Sequence, residues 1–109
     1  MSVRSEIYNA LTTIPGVGEV THNWPKEFVS LPIIHYGVQD RIPHKNFTYD
    51  QESEVIVKIS VWNKTEVSSL AVSVSQKMST LGYIRTMEMD VSTLDAVLNR
   101  IDMRFKALK

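Results

Sequence analysis

The sequence predicts an α+β domain, a mostly antiparallel β-sheet with two helices packed on one face. Three observations carry that reading. Two stretches repeat apolar residues at helical spacing, and others alternate apolar with polar side chains at the period of a strand. The 109 residues are too few for two hydrophobic cores, so residues 1–109 form one domain. The expected order is α-β-β-β-α-β-β, with the first strand weak, and two helices on one side of such a sheet make a two-layer core.

The first helix is set by Ile7, Leu11 and Ile14, which share one face at 3.6 residues per turn. Ser2 or Ser5 suits its N-cap, and Glu6 suits the positive end of its dipole. Pro15-Gly16-Val17-Gly18 stops it after about three turns. So short a helix repays its nucleation poorly in water and must dock its apolar stripe on something larger. A weak strand is expected near Val20, within an irregular stretch that contains Trp24-Pro25.

Ile33 to Val38 reads as a strand with bulk on both faces, Ile34, Tyr36 and Val38 against Ile33 and His35. It is preceded by Pro32, which cannot donate to a ladder. Residues 39–52 are polar and lack periodicity, and are expected as an extended loop. Phe47 and Tyr49 argue against a plain solvated linker there, so an arm or hairpin packed on a neighbour is the alternative. Glu54 to Trp62 is the clearest strand, with Val55, Val57, Ile59 and Val61 on one face and Lys58 and Ser60 on the other.

Asn63 with Glu66 three positions later resembles a capping box and opens the second helix. Val67, Leu70, Ala71, Val74, Met78 and Leu81 form its buried stripe, and Gly82 supplies the left-handed stop. Its outer face is rich in serine, either a solvated surface or one covered by another backbone in an assembly. Tyr83 to Val91 alternates next, with Arg85, Met87, Met89 and Val91 on one side and Ile84, Thr86, Glu88 and Asp90 on the other. Val97 to Ala107 then alternates Val97, Ile101, Met103, Phe105 and Ala107 inward against Leu98, Arg100, Asp102, Arg104 and Lys106 outward. The sheet face away from the helices is therefore expected to be wet and mixed in sign, carrying Lys58, Ser60, Glu88, Asp90, Arg100, Asp102, Arg104 and Lys106.

Composition limits the chemistry. Twelve basic side chains balance twelve acidic ones, which argues against a general duplex-binding module. There is no cysteine, which removes disulfides, thiolate metal sites and cysteine nucleophiles together. His22, His35 and His44 form no ligand-spaced pair, and the sequence holds neither a GxSxG elbow nor a phosphate-cradling glycine loop. The first residues lack the apolar core of a secretion signal, and no stretch is long enough to span a membrane, so a cytoplasmic soluble chain is the default expectation. No enzyme, cofactor or metal is expected. Work by surface contact is.

The order of motifs resembles a known family. Ile7-Tyr8-Asn9-Ala10-Leu11, Leu31-Pro32-Ile33-Ile34-His35-Tyr36-Gly37, Val57-Lys58-Ile59-Ser60-Val61-Trp62 and the closing Asn99-Arg100-Ile101-Asp102-Met103-Arg104-Phe105-Lys106-Ala107 are similar to the tail-completion proteins of long-tailed bacteriophages and prophages, the tail terminator or head–tail joining family. That resemblance spans about residues 5 to 108. It implies an α/β subunit of a hexameric ring on the end of the tail tube, which stops polymerisation and offers a surface to the head connector. The implied partners are copies of itself, the tail-tube protein, the connector or stopper, and DNA in transit; no membrane is involved. The implied location is the virion, after assembly in the host cytoplasm. A neck or connector adaptor of the same virion, or a small ligand-binding α+β domain, is the alternative. Within that frame Arg41, His44, Phe47 and Tyr49 are candidate subunit or tube contacts, and Lys58, Arg100, Arg104 and Lys106 are candidates to face a lumen.

Overall fold

In the computed structural model, residues 3–25, 31–44, 52–91 and 98–108 are described, with only the backbone described for 39–44 and 52–53. Helix α1 (Val3–Leu11) leads into β1 (Glu19–Thr21), β2 (Ile33–His44), β3 (Glu52–Asn63), α2 (Ser68–Thr80), β4 (Ile84–Val91) and β5 (Asn99–Leu108). The strands form one sheet in the order β1-β2-β3-β5-β4. Three of its pairings are antiparallel and only β1–β2 is parallel, and both helices lie on one face, as the hydrophobic periodicity predicts.

The core between the layers is the set of side chains that the alternation selects. Val55, Val57, Ile59 and Val61 from β3 and Ile101, Met103, Phe105 and Ala107 from β5 meet Ile7 and Leu11 of α1 and Ala71, Val74 and Met78 of α2. Helix α1 ends at Leu11 in two tight turns, Thr13 N–H to the Ala10 carbonyl and Ile14 N–H to the Leu11 carbonyl, which keep Ile14 buried before Pro15 breaks the ladder.

At the end of α2, Gly82 N–H donates to Ser79 and Tyr83 N–H to Met78, the paired bonds of a Schellman stop. Gly82 holds φ at +91°, where an L side chain is strained, so Gly82→Ala is expected to lower stability by about 1–2 kcal/mol in urea unfolding, with helix content otherwise unchanged. The expected capping box at the other end does not form. Asn63 accepts from the N–H of Lys64, its neighbour, and donates to Thr65, while the helix starts at Ser68 behind Val67, which makes no side-chain cap. Asn63 still ends β3 paired with Asn99, too far upstream to reach the first turn.

Two expectations about the strands are corrected. Half of the expected 39–52 loop is sheet, because β2 runs on to His44 and pairs through His44–Glu52, making the hairpin arm that was the alternative, while 45–51 lie outside the described residues. A bulge between Val38 and Asp40 absorbs Gln39, which hides the strand period from a sequence reading. Twelve residues per strand span about 40 Å, and the molecule is accordingly elongated, 52 Å by 25 Å by 23 Å.

The second correction lies in β4. Its pairing with β5 shifts between Arg85 and Met87, so Arg85 sits opposite Phe105 while Met87 sits opposite Arg104. Beyond the bulge, Glu88 and Asp90 oppose the core residues Met103 and Ile101 and face the helix side; Met87, Met89 and Val91 take the outer face.

Candidate assembly surface

The outer face of the sheet holds the candidate lumen residues together. Cross-strand pairing places Lys58 beside Arg104, Ser60 beside Asp102 and Trp62 beside Arg100, with Lys106 opposite Ile56. Removal of Glu88 and Asp90 from this wall leaves four cations, Lys58, Arg100, Arg104 and Lys106, against three anions, Glu19, Glu54 and Asp102, among the described side chains. Lys106 pairs with Glu54 at 3.3 Å. Arg104 is exposed and makes no ion pair among the described residues.

Asp102 organises one end of this face. It is 4% exposed, and Arg100 clamps it with Nε to Oδ1 at 2.8 Å and Nη2 to Oδ2 at 2.9 Å. Lys58 Nζ adds a longer contact at 3.7 Å. Burial pushes the carboxyl pKa up, but the Arg100 guanidinium, the nearby Ser60 hydroxyl and the Lys58 charge outweigh it and hold it below its ordinary value. Ser60 favours the carboxylate by proximity; its own hydroxyl is buried outside hydrogen-bonding geometry.

The expectation of a wet face of mixed sign fails at this end of the sheet. Ile33, Trp62 and Leu98 form a second buried cluster on this side, with Leu31 against it, which explains why Ile33 to Val38 carries bulk on both faces and why Leu98 is buried although its register points outward. Trp62 belongs to this cluster, not to the helix layer. Trp24 roofs it, with its ring 5.2 Å from Trp62 and 5.2 Å from His35, both edge-on. The Arg100 guanidinium lies 5.0 Å from the Trp24 ring and 5.2 Å from the Trp62 ring, a cation between two π-faces. Sequence reading missed this nest because its members come from separated segments; the one local signal was the pair of tryptophans without a helical or strand role for Trp24.

The candidate contact residues fare differently. Arg41 pairs through its backbone with Val55, and His44 with Glu52, so both belong to the arm and not to a loop. Phe47 and Tyr49 lie outside the described residues. β4 is an outermost strand, and its outer-face residues Ile84 and Met89 are 71% and 52% exposed, beside half-buried Met87 and Val91. At the opposite margin β1 covers only Ile33, Ile34 and His35 of β2. Both sheet margins thus offer unpaired backbone of the kind that takes a partner strand.

Other surfaces offer little converging chemistry. A groove of about 340 Å³ between α2 and β4 is lined by Ser68, Val72, Arg85, Glu88, Asp90 and Ile101, with Arg85 donating to Ser75 and Glu88 at 3.3 Å each. Among the described residues no three His, Cys, Asp or Glu side chains are grouped to hold a metal, and no described helix is long and apolar enough to cross a membrane.

The class so defined is a two-layer α+β domain with a cation-bearing outer sheet wall, a hairpin arm and two open sheet margins. The same fold occurs in a solved chain from the virion of a native gene transfer agent particle, with a TM-score of 0.70 at 15% identity over 98% of this chain and 93% of that one. No protein-family model matches the sequence, and neither does a curated protein.

Proposed function

We propose that this chain is a structural virion subunit that closes a ring at the end of a phage tail tube, stops tube growth and presents the surface to which the head connector joins. The observation that carries this reading is the shared fold with a virion-particle chain over nearly the full length of both. The motif order across residues 5 to 108 supports the narrower assignment to tail completion.

A closed ring needs two unlike patches per subunit that meet after a fixed rotation. The arm with Arg41 and His44, together with the sequence candidates Phe47 and Tyr49 outside the described residues, supplies one and the free margin of β4 with Ile84 and Met89 the other. In this reading six copies place Lys58, Arg100, Arg104 and Lys106 toward the lumen, where a net positive wall meets the phosphates of passing DNA. The tail-tube protein and the connector or stopper are the other partners, no catalytic step is involved, and the ring matures in the host cytoplasm.

Electron microscopy of particles made without this chain tests the proposal. Overlong tubes and unjoined heads are expected; tubes of normal length with unjoined heads would assign it instead to a neck adaptor, and normal joined tails would remove it from assembly. At residue level, Phe47→Ala with Tyr49→Ala is expected to abolish ring formation in size-exclusion chromatography while thermal unfolding of the free subunit stays unchanged. Rings that persist in that double variant would exclude the arm as a contact.

A further inference from the structure

We propose that His35 is a proton-operated latch for Trp24: a neutral imidazole keeps Trp24 seated over Trp62 and Arg100, and protonation releases it and uncovers the Ile33–Trp62–Leu98 cluster. The inference goes beyond the ring reading and does not depend on it.

The geometry leaves little provision for a charged imidazole. Among the described residues His35 Nδ1 is buried without a hydrogen-bond partner, its ring meets Trp24 at 5.2 Å and Trp62 at 6.5 Å, and ring-edge contacts of this kind need no charge. A proton placed on that nitrogen creates a buried cationic donor, and among the described residues only the His22 backbone hydrogen-bonds the ring so as to favour its charged form, a contribution that burial outweighs.

The groups facing His35 come from three directions. β3 presents Lys58, and β5 presents Arg100 and Asp102. The segment after β1 presents the backbone of His22 and the Trp24 ring. Among the described residues two cations therefore face one anion, and both carboxylate oxygens of that anion already accept from Arg100, with Lys58 beside them. Both indoles already carry the Arg100 guanidinium, so a second cation competes for the same π-faces instead of adding to them. Trp24 is the member of the nest free to leave, being 51% exposed where Trp62 is 2% exposed.

Desolvation by burial is the largest influence on His35 and lowers its pKa from the ordinary 6.5; Lys58 and Arg100 lower it further, while the His22 backbone and Asp102 oppose them without prevailing. The sign follows by linkage. A His whose folded value lies below its unfolded one gives its full stability above about pH 6.5, and loses it as pH falls below 6.5 toward the folded value.

The chain has only two tryptophans, and both lie in this nest, so the readout is direct. A pH titration of the full chain by NMR is expected to show the His35 ring midpoint below 6.5 and the Trp24 indole N–H resonance moving with the same midpoint. Acrylamide quenching of tryptophan emission is expected to rise about twofold over the same range, and to stay flat in His35→Gln, as local opening of one exposed lid predicts. A His35 midpoint at or above 6.5, or a Trp24 resonance indifferent to it, overturns the proposal. Should His35→Gln fail to fold, the titration of the unaltered chain decides alone.

Discussion

Asp102→Ala is expected to lower the unfolding free energy by about 3–5 kcal/mol, because it strands the Arg100 charge between two indoles with no counter-ion. The side chains of Arg100 and Asp102 are only 18% and 5% exposed, so water cannot replace the lost bonds cheaply. Urea denaturation of the variant measures this, and a loss under about 1 kcal/mol would show the pair to be screened as surface pairs are. Replacing both residues with apolar ones of similar volume, Asp102→Leu with Arg100→Met, is expected to recover a large part of the loss, since the cost lies in the unpaired charge and not in the missing attraction. The pH dependence has a defined sign. The carboxyl pKa is depressed below 3.8 on folding, so its stabilisation is complete above 3.8 and is lost only as pH falls below that value.

Leu11→Ala is the second large effect, expected at about 2–5 kcal/mol. Leu11 is fully buried at the last position of α1, where it joins Ile7 in the interlayer core. A nine-residue helix has little stability of its own, so weakening its docking is expected to reduce helical circular dichroism before the sheet melts. Asn9→Ala, on the exposed side of the same helix, serves as the control and is expected to change stability by less than about 0.5 kcal/mol. Equal effects in the two variants would mean that burial of Leu11 contributes nothing specific to holding α1 in place.

Both residues bear on what a linear reading can reach. Leu11 was legible, because Ile7, Leu11 and Ile14 repeat at a helical period and that period is local. The stripe of α2 and the alternation of β3 and β5 were legible for the same reason, and together they define the layers and the core. Asp102 was legible only as an outward strand charge among arginines. Its clamp depends on Arg100, whose guanidinium is held against Trp24 and Trp62 from other parts of the chain, and no spacing rule connects them. Arg41 and His44 were assigned to a loop because the bulge at Gln39 and the polar run after it erase the strand period. Glu88 and Asp90 were placed on the wrong face because one inserted residue in β4 inverts the alternation beyond it.

Local periodicity by itself determined the element order, the two-layer α+β class and nearly every interlayer core residue, since burying an apolar face requires its repeat to match the geometry of helix or strand. Tertiary structure alone decided the polarity of the outer wall, the second cluster under Trp24 and the length of the arm. Those depend on register between strands and on side chains distant in sequence, where a single bulge moves a charge from one face of the sheet to the other.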